Sequence, residues 1–218
     1  MKMRNFMTMV SDFSKQQFSH VKIERYRKEL SIALTVIFFV GIGGLVYRWY
    51  VEKREVAASY AFAQCMKSFE HAKSDVSKWP GVLEQFEAGY KEHKSSTLAP
   101  YFLAYEAEVY LNMGNREQAL QTLRSVTIAK SSLLYGGYAV KTALLEIDIA
   151  DAAVGLQSLQ DLAKDTHNSA RDMALYYLGL YHWSQNDVAQ AKIAWQDLVQ
   201  LDNSPYAAAA QDRLQYLV

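Results

Sequence analysis

Five histidines and their acidic neighbours are the residues of this chain that could carry acid–base or metal chemistry. They show no HExxH or other metal-ligand spacing: His20, His71, His93, His167 and His182. The nearest approach to a catalytic triad is Asp165, His167 and Ser169, which are crowded into one short loop. Side chains so close in sequence cannot be arranged as nucleophile, base and orienting carboxylate, and a loop that ends a helix explains the same residues.

Phosphate-binding chemistry is equally unsupported, because Gly136 and Gly137 open a predicted helix without the preceding strand that a phosphate loop requires. The sequence therefore predicts no catalytic residue, no metal site and no cofactor, and shows no signal for a small-molecule substrate. We expect that the chain is not an enzyme.

Aromatic side chains near the C-terminus raise a sharper question. Residues 174–195, ALYYLGLYHWSQNDVAQAKIAW, place tyrosines, a histidine and two tryptophans at helical spacing. Such a cluster forms either a surface for a partner or the packing of a helical hairpin. The choice depends on the elements that carry these residues.

Composition indicates a folded chain with one sizeable core, since 50% of its 218 residues are hydrophobic and 13% are aromatic. The net charge of zero hides a basic N-terminus, where residues 1–29 hold seven Lys and Arg against three Asp and Glu. No Lys/Arg stripe occurs in the remainder, so nucleic-acid binding is disfavoured. The single cysteine, Cys65, excludes an internal disulfide. We interpret it as a small buried helix residue, with an intermolecular bridge as a minor alternative.

Residues 30–47, LSIALTVIFFVGIGGLVY, pass without a charge. As a helix they would span about 27 Å at about 1.5 Å per residue, close to the hydrocarbon thickness of a bilayer. Arg48, Trp49 and Tyr50 follow as an interfacial belt. We predict a transmembrane signal anchor at 30–50 and, from the positive-inside bias, a cytoplasmic tail at 1–29. A buried soluble helix and a cleaved signal peptide are the alternatives.

A repeat of 36 residues organises the rest of the chain. Asn115, Asp151 and Asp187 recur at this period, each before an apolar-periodic stretch, which is the position of a helix N-cap. Small residues lie eight before and four after each cap, and a bulky residue lies four further on: Ala107, Ala119, Leu123; Ala143, Gly155, Leu159; Gly179, Ala191, Trp195. Small residues that let two helices approach, with a large residue filling the next gap, indicate antiparallel hairpins.

The pattern resembles the tetratricopeptide repeat, whose motif appears in pieces, and the last repeat comes nearest to it: Leu175, Leu178-Gly179, His182, Ala191 and Trp195. The middle repeat departs most, with Glu146 at the tyrosine position. We predict an all-α fold, in which the transmembrane helix precedes a tetratricopeptide-like array of hairpins. The predicted segments are a spacer helix with a first hairpin (51–99), three repeats (100–135, 136–171, 172–205) and a capping helix (206–218). Predicted helices cover about 22–77, 80–94, 98–113, 116–129, 133–149, 152–164, 169–185, 188–201 and 206–217.

Projection of the first helix of each repeat predicts an apolar inner face that is a candidate partner groove. Its residues are Tyr101, Ala104, Glu108, Val140, Leu144, Ile147, Met173, Tyr176, Leu180 and Trp183. Such a stripe is either a groove for apolar peptides or core covered by helix 57–77 or by the terminal helix 207–217.

A basic tail, one span ending in YRWYVEKREVAASYAF (residues 47–62), a spacer hairpin and short tetratricopeptide-like repeats together resemble the YfgM-type family of ancillary Sec translocon subunits. The resemblance implies a single-pass inner-membrane protein with its repeat domain in the periplasm. It also implies contacts with the translocation channel, a membrane-anchored prolyl-isomerase-like chaperone and exported chains, and no catalytic residues. The alternative is a structural scaffold of an envelope or division complex.

Overall fold

The structure is a computed structural model that describes residues 3–128, 132 and 134–216, with side chains from residue 31 onward. These residues are all-α, which confirms the predicted class. The helices are α1 (Met3–Ala72), α2 (Trp79–Glu92), α3 (Ala99–Asn112), α4 (Arg116–Ser125), α5 (Tyr135–Ile149), α6 (Ala152–Lys164), α7 (Arg171–Ser184), α8 (Val188–Val199) and α9 (Ala207–Gln215). The chain divides into two compact units between Arg54 and Glu55.

Helix α1 contains the apolar segment. It begins at Met3 rather than near residue 22, because no glycine or proline precedes Gly41 to interrupt it. Every side chain from Ser31 to Tyr50 is exposed. In length and composition the stretch Ser31–Ala72 qualifies as a membrane-crossing helix. The tail at 1–29 lies outside the described side chains, and its cytoplasmic location stays a prediction.

Three side-chain caps start the second helices of the repeats in the second unit. A carboxylate or amide oxygen accepts a hydrogen bond from backbone N–H groups of the first turn, which otherwise lack a partner. The oxygen–nitrogen distances are 3.3 Å for Asn115 to Gln118, 3.0 and 3.3 Å for Asp151 to Ala153 and Val154, and 3.1 Å for Asp187 to Gln190. The N-cap interpretation of the 36-residue period is confirmed.

Packing within each hairpin follows the small and large positions of the repeat. Helices α3 and α4, α5 and α6, and α7 and α8 pack in pairs across turns of two or three residues, so the partners are antiparallel. All nine spaced residues are buried: Ala107, Ala119, Leu123, Ala143, Gly155, Leu159, Gly179, Ala191 and Trp195. The helical-hairpin array is therefore present as predicted.

Aromatic rings build the core at the N-terminal end of this array. Phe69 lies edge-on to Trp79 and Phe86, while Phe86 stacks on Tyr105 with ring centroids 5.8 Å apart. Cys65 is buried in the same cluster, and its thiol lies 3.5 Å from the Gln85 carbonyl oxygen. The cysteine is thus a packing residue, as the sequence indicated.

Glu55, the first residue of the second unit, holds the loop that precedes α3. Its carboxylate accepts hydrogen bonds from the hydroxyls of Ser96 and Thr97, both at 2.7 Å, and from the Thr97 backbone N–H at 3.1 Å. Helix α3 has no side-chain cap of its own at Leu98. A carboxylate from α1 thus fixes the entry to the first repeat.

Candidate functional site

The predicted inner face divides into two parts. In the second and third repeats, Val140 is fully buried, and the other residues pack around the same core: Leu144, Ile147, Met173, Tyr176 and Leu180. Ala210 and Leu214 of α9 belong to this core as well. The structure therefore places most of the predicted groove in packed core that includes the terminal helix. Its role as a partner surface stays a prediction.

Trp183 is the most exposed residue of the predicted groove, with 42% of its surface accessible. Its ring lies edge-on to buried Trp195, with centroids 6.3 Å apart. The guanidinium of Arg213 lies over the same ring at 5.0 Å, and this cation–π contact covers part of it. Trp183 is thus a surface residue that α9 partly covers.

Tyr101, Ala104 and Glu108 lie on α3, apart from that core. Ala104 is fully buried, and the Tyr101 hydroxyl lies 3.4 Å from the Ser132 hydroxyl. Glu108 forms an ion pair with Lys141 of α5. This pair lines a cavity of about 370 Å³, the inner cavity, whose other residues come from α1 and the residue that follows it, from α3 and from α5: Phe69, Lys73, Tyr105, Asn112 and Tyr138.

Burial sets the electrostatics of the inner cavity. It lowers the pKa of the Lys141 ammonium, even though the Glu108 carboxylate is close. It also raises the pKa of the Tyr138 phenol, to which Tyr105 and Tyr101 contribute. The cavity thus combines aromatic walls with one partly desolvated ion pair, a combination suited to an amphipathic segment.

Lys141 and Tyr138 were absent from the predicted groove, because the projection selected an apolar stripe along α5. The sequence does contain one indication of the Glu108–Lys141 pair. Lys141 follows Glu108 by 33 residues, close to one repeat period, so opposite charges occupy neighbouring first helices. Opposite charges about one period apart therefore indicate an ion pair between neighbouring first helices.

A second missed feature explains the departure of the middle repeat. Glu146, at the position of the motif tyrosine, accepts two hydrogen bonds from the Arg124 guanidinium, each at 2.8 Å. The pair crosses from α4 to α5 and lines a cleft on the α4–α6 side of the array. An ion pair thus replaces the aromatic packing of the standard motif.

Two of the histidines and the aspartate that the sequence offered for acid–base chemistry make structural contacts. Asp165 ends α6, and its carboxylate accepts the His167 backbone N–H at 2.9 Å, which forms the turn. His182 packs beside Tyr181, with its Nδ1 3.7 Å from the Asp187 carboxylate. Within the described part of the chain, no group of three or more His, Cys, Asp and Glu could hold a metal ion.

Comparison with protein-family models, curated proteins and solved structures finds no match to this chain.

Proposed function

We propose that this chain is a membrane-anchored protein–protein interaction module. The observation that carries the proposal is an array of helical hairpins with an inner cavity, in a chain whose N-terminal helix exposes a continuous apolar segment. Arrays of this kind present extended surfaces to other proteins. An exposed segment of this length is suited to lipid rather than water.

The specific form of the proposal is an ancillary subunit of the Sec translocon, which links the channel to periplasmic chaperones and exported chains. This part rests on the sequence resemblance to the YfgM-type family. In that setting the N-terminus is cytoplasmic, α1 crosses the inner membrane once, and the hairpin array is periplasmic. Unfolded exported chains are amphipathic, which fits the aromatic walls and ion pair of the inner cavity.

Site-specific photocrosslinking in cells tests the binding surface. A photoreactive residue replaces Tyr105 in the inner cavity, Trp183 at the edge of α7, or Gln196, an exposed position on α8 that serves as control. We expect Tyr105 to capture the translocation channel, the chaperone or a nascent exported chain, identified by mass spectrometry. Labelling at Tyr105 equal to that at Gln196 would contradict the proposal, and the scaffold alternative predicts that result.

Topology reporters test the placement independently. Fusions after Tyr50 and after Val218 should both report an extracytoplasmic location. A cytoplasmic signal from the Val218 fusion would exclude the translocon assignment, whatever the crosslinking shows.

A further inference from the structure

The cleft on the α4–α6 side, here the outer cleft, has a volume of about 460 Å³ and is lined by α4, α5 and α6. Helix α4 ends at Ser125, and Val126 is extended with φ −70° and ψ 118°, so the chain turns away at this point. The walls of the outer cleft carry apolar and aromatic side chains: Leu123, Val126, Tyr135, Tyr138 and Leu162. The outer cleft is therefore large enough to take a side chain with part of its backbone.

The Arg124–Glu146 pair shows what chemistry this cleft accommodates. The Glu146 side chain is only 10% exposed, whereas that of Arg124 is 55% exposed. Arg124 thus approaches from the solvent side and presents its Nε and terminal nitrogen to the two carboxylate oxygens. Arg124 therefore neutralises Glu146, and the carboxylates open to a partner are the other two that line the cleft.

Charge in the outer cleft is unbalanced. Besides Glu146, Asp161 of α6 and Asp165, which follows α6 directly, line it, and Arg124 is the one cation among the described lining residues. Asp161 accepts a hydrogen bond from the neutral amide of Gln157, and Asp165 accepts the His167 backbone N–H. Neither contact brings a cation to the carboxylate, so the described lining residues hold three carboxylates against one guanidinium.

One repeat further on, an equivalent cleft of about 360 Å³ lies between α6, α7 and α8. Asp197 takes the position of Asp161, but His182 and Gln160 replace the Glu146–Arg124 pair. Lys164 and Arg171 also line this second cleft and give it a positive excess. The architecture therefore does not require the acidic character, which is particular to the outer cleft.

We propose that the outer cleft binds a basic, extended segment of a partner protein. A lysine or arginine side chain of that segment enters between α4 and α6, with its charge at Asp161 and Asp165 and its stem against Tyr135. Anionic lipid headgroups and nucleic acids are repelled by the same excess charge. The site shares Tyr138 with the inner cavity, but its carboxylates do not line that cavity, and the proposal does not depend on the function proposed above.

Binding is measured with the full chain in nanodiscs of zwitterionic lipid, because anionic lipid would itself bind a basic probe. The probes are a fluorescent peptide of alternating lysine and serine, and the same peptide with glutamate for lysine. We expect the lysine peptide to bind in a salt-dependent manner and the glutamate peptide not to bind. Equal binding of the two peptides, or no binding of either, overturns the proposal.

Matched variants locate the binding. Asp161→Asn together with Asp165→Asn removes both charges and keeps an oxygen acceptor for each local hydrogen bond. This variant should weaken binding of the lysine peptide by about tenfold or more, whereas Asp197→Asn in the second cleft should change it by less than about twofold. Circular dichroism verifies that each variant is folded. An equal loss in the two variants overturns the assignment to the outer cleft.

Discussion

The hairpins α5–α6 and α7–α8 share one sequence period. They differ in which of the two helices carries the glycine at the point where the helices approach each other most closely. In the α5–α6 hairpin the glycine is on the second helix. A Cβ on Gly155 would lie 2.5 Å from the Ala143 carbonyl oxygen and 2.8 Å from the Ile147 backbone nitrogen. In the α7–α8 hairpin it is on the first helix, where a Cβ on Gly179 would lie 2.2 Å from Trp195 Nε1.

The size of one side chain accounts for this difference. Trp195 is fully buried, and its Nε1 donates a hydrogen bond to the Tyr176 carbonyl oxygen at 3.2 Å, so the indole lies across α7. The equivalent residue Leu159 does not reach so far, and α6 approaches the backbone of α5 directly. The period therefore determines where two helices meet, and the larger partner determines which helix carries the glycine.

The largest expected effect comes from exchanging the Gly179–Trp195 pair for the Ala–Leu pair of the other repeats. Trp195→Leu leaves a cavity and should cost about 2–4 kcal/mol, while Gly179→Ala collides with the indole and should cost about 1–3 kcal/mol. The double variant should be more stable than the sum of these losses predicts by about 1 kcal/mol or more. Urea unfolding of the two single variants and the double variant measures this coupling.

Additivity within about 0.5 kcal/mol would contradict the interpretation, because it would mean that glycine and tryptophan do not share one contact. Leu159→Ala in the other hairpin is the control. It should cost about 2–5 kcal/mol as a buried truncation and show no coupling to Gly179→Ala.

The second prediction concerns Gly155, the position at which the first and last repeats carry alanine. Gly155→Ala should lower the free energy of unfolding by about 1–3 kcal/mol, since two of the three atoms nearest to the new methyl group are backbone atoms of α5 and cannot rotate away. Gly137→Ala on α5 is the matched control, because a methyl group added there would meet nothing within 4 Å. The control should be neutral or stabilising by up to about 1 kcal/mol. Thermal or urea unfolding distinguishes the two outcomes.

These contrasts show which parts of the molecule could be predicted from sequence. Caps and small residues recur at a fixed period, so the helices and their pairing followed from Asn115, Asp151 and Asp187. Longer-range features followed only in part. Covering of the inner face by the terminal helix was one of the alternatives that the sequence left open, and the structure places Ala210 and Leu214 of α9 in that core. The Arg124–Glu146 pair was not predicted, because it depends on which side chains of different helices meet, and no local pattern encodes that. The start of α1 at Met3 differs from the predicted start near residue 22, because the residues before the apolar segment contain no glycine or proline that would end a helix.

The third prediction extends the comparison to α3, where Glu106 is the counterpart of Thr142 and Leu178. Burial raises the pKa of Glu106 to about 7, with a further contribution from Glu87, while Thr122 opposes the shift. The raised pKa means that the folded chain keeps a proton that the unfolded chain releases near pH 4.5. The free energy of unfolding should therefore fall by about 1–2 kcal/mol as the pH rises from about 4.5 through 7, and this contribution should be constant only above about pH 8, where Glu106 is ionised in both states.

The variant Glu106→Gln keeps the shape and removes the titration. Its unfolding free energy, measured by urea at several pH values, should lack this fall. Tyr110 also faces the site, but its pKa is raised above its usual value near 10 and it does not titrate in this window. An unchanged pH profile in the variant would assign the effect to other carboxylates.

The fourth prediction compares two arginines that join α4 to α5. Arg124→Ala should cost about 1–2 kcal/mol, because it leaves the buried Glu146 carboxylate without its two hydrogen bonds. Arg116→Ala removes an ion pair with Asp148 in which both side chains are exposed, and it should change stability by less than about 0.5 kcal/mol. Equal losses in urea unfolding would show that the Arg124–Glu146 pair does not substitute for the motif tyrosine.

The smallest effects are expected at the N-caps of α6 and α8. Asp151 accepts hydrogen bonds from two backbone N–H groups, whereas Asp187 accepts from one, so Asp151→Ala should cost slightly more than Asp187→Ala. Each loss should be about 1 kcal/mol, and Asn in place of Asp should recover most of it, because the amide oxygen also accepts from the first turn. Recovery by Asn at both sites would assign the effect to hydrogen bonding. A loss that persists in Asp→Asn would instead assign it to the negative charge at the helix N-terminus.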